Sequence, residues 1–186
     1  MLINVGKYKN RKMLLPSVVH CRKLGLRPTQ SKIRAAVFNV LRAAANFNGV
    51  RVLDVYCGSG AFGIEALSVG ASHVTFVDIS SHNIQHLKSN VNRINIRESV
   101  EYLCMDARDL SKVTGQYGLI YVDPPYNSSF AYESVDSIVR NKLLSDDGVL
   151  VIEVAKRNFI KTPNYITVFD CREYGNTKVV FCGLAN

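Results

Sequence analysis

Four consecutive residues, Asp123-Pro124-Pro125-Tyr126, carry the most specific chemistry in the chain. Adjacent prolines fix φ and lack N–H groups, so the backbone is stiff and its carbonyls stay free to accept hydrogen bonds. A planar exocyclic amine, such as N2 of guanine or N6 of adenine, is a poor nucleophile because its lone pair is delocalised into the ring. Acceptors on Asp123 and Pro124 can bind both amine hydrogens and aim the nitrogen, while Tyr126 stacks on the base. Pro125 completes the stiff turn.

An alkyl donor must then sit beside this turn, and an upstream stretch fits one. Val52-Leu53-Asp54-Val55-Tyr56 is an apolar run, followed by Cys57-Gly58-Ser59-Gly60 and by helix-forming residues from Ala61. Gly58 and Gly60 allow backbone angles and close approach that a Cβ would block, and the following helix turns its amide end to the ligand. Gly58, Gly60 and Gly63 formally satisfy the dinucleotide fingerprint. Asp54 separates the readings: a carboxylate repels pyrophosphate but attracts the sulfonium and ammonium of S-adenosylmethionine. Asp78 closes the next apolar run and can accept ribose hydroxyls. Asp106 follows a third and can accept the adenine amino group. Ile79, Ala107 and Ser59 complete the expected donor site.

Those residues need a sheet to hold them. Strands are expected at 50–56, 73–78, 100–104, 118–123, 148–154, 165–172 and 177–183. Helices are expected from Ser31 to about Ala45 and at 61–69, 81–94 and 132–143, with a short helical or irregular piece near 107–113. On the first helix Ile33, Val37, Val40, Leu41 and Ala44 share a face, after a chain break at Leu26-Arg27-Pro28-Thr29 in which Thr29 can cap. Near-continuous apolar strands such as Val149 to Ile152 imply a parallel sheet covered by helices. Gly175-Asn176 suggests a terminal hairpin whose last strand is antiparallel. The expected fold is α/β, a Rossmann-like class I methyltransferase with a seven-stranded, mostly parallel sheet. Residues 1–25 read as a short basic extension and 26–186 as the catalytic domain.

The net charge of +8 is unevenly placed. No Asp or Glu precedes Asp54, whereas residues 1–53 carry eleven Lys and Arg. An acid-free basic segment points to nucleic acid. Tyr8 lies among Lys7, Lys9, Arg11 and Lys12, a pattern that suits stacking on RNA between phosphate contacts. A basic turn with Tyr8 packed on the domain is the plainer alternative. Arg27, Thr29 and Arg34 extend the expected RNA face. The five cysteines form no C-x-x-C pair, so reduced packing thiols and no metal are expected. No apolar run approaches a membrane span or a signal peptide, so the expected location is cytoplasmic.

These residues together resemble the bacterial RsmD family of 16S rRNA guanine-N2 methyltransferases along nearly the whole chain. The likeness is carried by Gly6, Tyr8 and Arg11, by Leu26 to Thr29, by Arg34 with Phe38-Asn39, by Leu53 to Ala71, by Asp123 to Tyr126, and by Tyr174-Gly175-Asn176-Thr177. Lys9-Asn10, Ala35 and Val69 depart from the family pattern. The resemblance implies methylation of one guanine in 16S rRNA, within the small ribosomal subunit or its assembly intermediate, with S-adenosylmethionine as donor. A monomer is expected because the substrate is large.

Three other readings stand beside it. A DNA adenine-N6 methyltransferase can carry the same Asp-Pro-Pro-Tyr turn, although little chain is available for a recognition domain. An NAD-dependent oxidoreductase would use the glycines but leaves Asp54 and residues 123–126 unexplained. A non-catalytic RNA-binding assembly factor would have kept the fold without the reaction.

Overall fold

The computed structural model describes residues 1–14, 30–44, 48–125, 128–157 and 163–185. The break at Leu26 to Thr29, with Arg27 and Thr29, lies outside them, as does Tyr126. Helices α1 to α4 span Gln30–Ala44, Ala61–Ser68, Ser81–Ile94 and Ser128–Arg140. Strands β1 to β7 span Arg51–Val55, His73–Asp78, Ser99–Cys104, Tyr117–Val122, Leu144–Ala155, Ile166–Tyr174 and Thr177–Leu184.

The strands form one sheet in the order β3-β2-β1-β4-β5-β7-β6. β1 to β5 are parallel, and β7 enters antiparallel beside β5. This is the expected fold, with β7 as the reversed strand. The order turns outward from β1 in both directions, so the carboxyl ends of β1 and β4 flank a crevice where connections diverge.

Both faces of the sheet are covered. Val52, Phe76, Leu119, Tyr121, Val151 and Phe181 pack on one face with Ile33, Val37, Phe38 and Leu41 of α1 and Phe62 of α2. Leu53, Val55, Ile120, Val122, Leu150 and Ile152 face the other way, toward Val135 and Ile138 of α4. The near-continuous apolar strands are the sequence trace of this double burial.

Two expected boundaries move. α4 ends at Arg140 because Lys142 takes a left-handed φ of +52° and the Leu143 amide bonds back to the Ile138 carbonyl. The freed chain starts β5 at Leu144, opposite Tyr117. Residues 107–113 are irregular turns, anchored where the Leu110 amide donates to Ser137 Oγ at 2.8 Å.

The first fourteen residues form a small hairpin, with a bridge between Leu2 and Lys12. Ile3, Tyr8 and Met13 are buried in the same core as α1 and α2. The Lys7 amide donates to the Ser68 carbonyl and the Tyr8 amide to Ser68 Oγ, so the hairpin is fastened to the end of α2.

Candidate active site

The glycine turn is built around two acids. Asp54 sits at the carboxyl end of β1, almost wholly buried, and accepts the Gly63 amide at 2.9 Å. Gly63 has no room for a side chain, since a Cβ would lie 2.3 Å from the Phe76 ring. Asp78, at the end of β2, accepts the Gly58 amide and the Ser80 amide at 2.8 Å each, with Asn83 Nδ2 at 3.2 Å. Ser80, not Asp78, caps α3 by accepting from Asn83. Gly60 opens α2 with φ +75°, and a Cβ there would come within 2.1 Å of Leu87. Beside Asp78, Ile79 exposes 68% of its surface, an apolar platform without a protein cover.

Tyr56, Cys57, Ser59, Phe62, Tyr121 and Asp123 join Asp54 and Arg34 around a solvent-open cleft of about 430 Å³. The structure therefore brings the Asp123 turn to the glycine turn: the Asp123 amide donates to the Val55 carbonyl at 3.4 Å. Pro124 is buried and Pro125 exposed. Tyr121 lies flat on Phe62, with centroids 3.9 Å apart and planes 6° apart.

The cleft holds two acids, Asp54 buried and Asp123 half-buried. Burial, reinforced by Asp78, raises the Asp54 carboxyl from 3.8 to about 8, against the opposing pull of the Gly63 amide and Arg34. Burial, with Glu153 and Asp54 beside it, pushes Asp123 well above the carboxylate range. Such acids invite a cation to restore their charge. The Cys57 thiol is pushed well up by burial and by Asp54 and Asp78, so it is not a thiolate nucleophile.

The other expected site residues fall elsewhere or are already engaged. Asp106 lies two residues past the end of β3, beside buried Ala107, but the Arg108 guanidinium binds its carboxylate, with Nε at 3.0 Å, and holds its pKa down. Arg34 is a correction. It does not reach outward to RNA; it is 5% exposed, and its Nε donates to Glu65 at 2.9 Å. A guanidinium in that apolar layer needs an acid, and α2 supplies one. Tyr8 is a second correction. Its ring is buried and its hydroxyl donates to Glu98 at 2.7 Å, which removes it as a stacking platform. Lys7 pairs with Glu98 and Arg11 donates to the Ile94 carbonyl, whereas Lys9 and Lys12 are exposed.

Sequence reasoning missed Tyr56, Phe62, Tyr121 and Glu153. Tyr56 holds a left-handed φ of +62° and bonds Ser134 at 2.8 Å, strain of the kind that gathers at sites. Tyr121 was discoverable, because residues two apart on a strand share a face and Asp123 was already singled out. Glu153 left a signal too: a carboxylate near the end of the apolar run Val149 to Val154.

Comparison with known proteins is consistent along the chain. The family described as conserved hypothetical protein 95 matches residues 1–183. The ribosomal RNA small subunit methyltransferase D of Buchnera aphidicola (from Acyrthosiphon pisum) is 29% identical, over 88% of this chain and 83% of that protein. The protein of the same name in Escherichia coli K12 is 27% identical, over 84% of this chain and 76% of its own length. A solved structure of the Escherichia coli protein yhhF superposes with a TM-score of 0.85 at 23% identity, covering 99% of this chain and 97% of that one.

Proposed function

We propose that this chain, which belongs to the RsmD family (conserved hypothetical protein 95), transfers a methyl group from S-adenosylmethionine to the N2 amine of a guanine in 16S rRNA of the small ribosomal subunit. The observation that carries the reading is the meeting of the Asp123-Pro124-Pro125 turn with the glycine turn and Asp54 in one cleft. When bound, S-adenosylmethionine supplies an electrophilic methyl on a cationic sulfur.

The residues present fit that donor. Asp54 offers a buried acid to its positive charge, Asp78 a carboxylate for ribose, and Ile79 an apolar surface for adenine. Asp106 and Ala107, past the end of β3, would hold adenine. Asp123 and the Pro124 carbonyl accept the amine hydrogens and turn the nitrogen lone pair toward the donor. With the amine held in line, the step needs no covalent enzyme intermediate, and the protonated Cys57 offers none. The exposed Lys9 and Lys12, with Lys7 and Arg11 on the same hairpin, supply phosphate contacts.

The test is labelled methyl transfer to unmethylated small subunits, free 16S rRNA and duplex DNA in parallel, with the product nucleoside identified. N2-methylguanosine from 16S rRNA is the expected result. N6-methyladenine from DNA would overturn it, and donor binding without transfer would favour a non-catalytic assembly factor.

A further inference from the structure

We infer that Glu153 is a positioning residue for the acceptor reaction: a second carboxyl beside Asp123 whose negative charge keeps Asp123 basic enough to take the proton released by the methylated amine. This deepens the methyl-transfer reading and rests on it.

The placement follows from strand register. Val122 of β4 and Ile152 of β5 are partners in a parallel pair. The next residue in each segment is an acid, Glu153 within β5 and Asp123 just past the end of β4, so the two fall side by side, with neighbouring strands about 4.8 Å apart. Both lie on the sheet face that carries Tyr121, since side chains alternate along a strand. Glu153 is 6% exposed and does not line the cleft; it stands behind Tyr121 and Asp123.

A buried carboxyl is costly unless it is bonded or paired. Tyr121 donates its hydroxyl to Glu153 Oε2 at 2.6 Å. From the helix layer Arg34 faces Glu153, from β1 Asp54 faces Asp123, and from β7 the register partner is the apolar Val179. The two acids are therefore unequal. Burial raises both carboxyls; at Glu153 the Tyr121 bond and Arg34 oppose it, whereas at Asp123 Glu153 and Asp54 add to it. Glu153 ionises first, and Asp123 gives up its proton at higher pH.

That order suits the reaction. The amine nitrogen pair forms the N–C bond, the S–C bond breaks with its electrons left on sulfur, and an N–H proton passes to Asp123. Glu153 keeps its bonds and its charge throughout. A base raised toward the working pH accepts the proton more readily than an ordinary carboxylate.

The experiment is the pH profile of single-turnover methyl transfer to unmethylated small subunits by the wild type, Glu153→Gln and Tyr121→Phe. Gln keeps an acceptor for the Tyr121 hydroxyl but removes the charge. The acid limb of the Glu153→Gln profile is expected to move down by roughly one pH unit. Tyr121→Phe, which lets Glu153 hold its proton longer, is expected to move the limb in the same direction by less. A limb that stays in place in folded variants, with only the rate reduced, overturns the inference and leaves Glu153 structural. A wild type that transfers no methyl overturns the parent reading as well, which separates the two failures.

Discussion

Around the glycine turn two acids accept backbone amides; past the end of β4 an acid stands beside another from β5. Asp78 takes the Gly58 and Ser80 amides, and Asp54 takes that of Gly63, so these carboxyls also hold the glycine turn in shape. Burial raises the Asp123 carboxyl, and its electrostatic neighbours Glu153 and Asp54 raise it further. The first arrangement builds a receptor whose form precedes its ligand. In the proposed reaction the second would keep a carboxyl basic enough to take a proton. A binding half needs donors and acceptors held in place, whereas a reacting half needs a group that can take up a proton during the step.

The division is broken most severely at Asp123. Asp123→Ala is expected to lower single-turnover methyl transfer about 10³-fold, because one alignment and one proton acceptor are lost together. On the receptor side, Gly63→Ala forces a methyl into the Phe76 ring and Val74, and is expected to destabilise the fold by about 1–3 kcal/mol in denaturant unfolding. Its transfer defect should follow lost folding and lost donor affinity.

Asp54 sharpens the comparison through pH. Its carboxyl titrates near 8 in the free protein, against an ordinary value of 3.8. A cationic donor binds the ionised form, so affinity should rise as pH increases toward 8, by up to about tenfold per unit. Calorimetry in buffers of different ionisation enthalpy should register proton release. In the unliganded protein the same shift has the opposite consequence. The folded state keeps a proton that the unfolded state has lost, so this contribution to stability falls as pH rises from about 4 through 8. The smallest effect concerns the hairpin. Replacing exposed Lys9 and Lys12 with Ala should flatten the salt dependence of RNA binding by roughly 1.5 in log–log slope, leaving donor affinity unchanged.

The sheet was legible because the apolar runs within β1, β2, β4 and β5 are buried on both faces. Asp54, Asp78 and Asp123 stand out as acids at the ends of such runs. Ion pairs between distant segments were not legible. Arg34 and Glu65 are separated by 31 positions, and nothing local says that α1 turns its arginine inward onto α2. Tyr8 was misjudged for the same reason. Its neighbours are cations, but the surface that buries it is Ser68 and Glu98, distant in sequence. Glu153 was hidden by its strand, since a lone acid in an apolar run gains meaning only when register sets it beside Asp123.

The most direct measurement is a calorimetric titration of S-adenosylmethionine into Asp123→Ala and Asp54→Ala, each compared with the wild type. If the cleft has a binding half and a reacting half, Asp123→Ala binds the donor within about twofold of the wild type, while Asp54→Ala loses about tenfold or more. Equal loss in both variants, or loss in Asp123→Ala alone, would contradict the division.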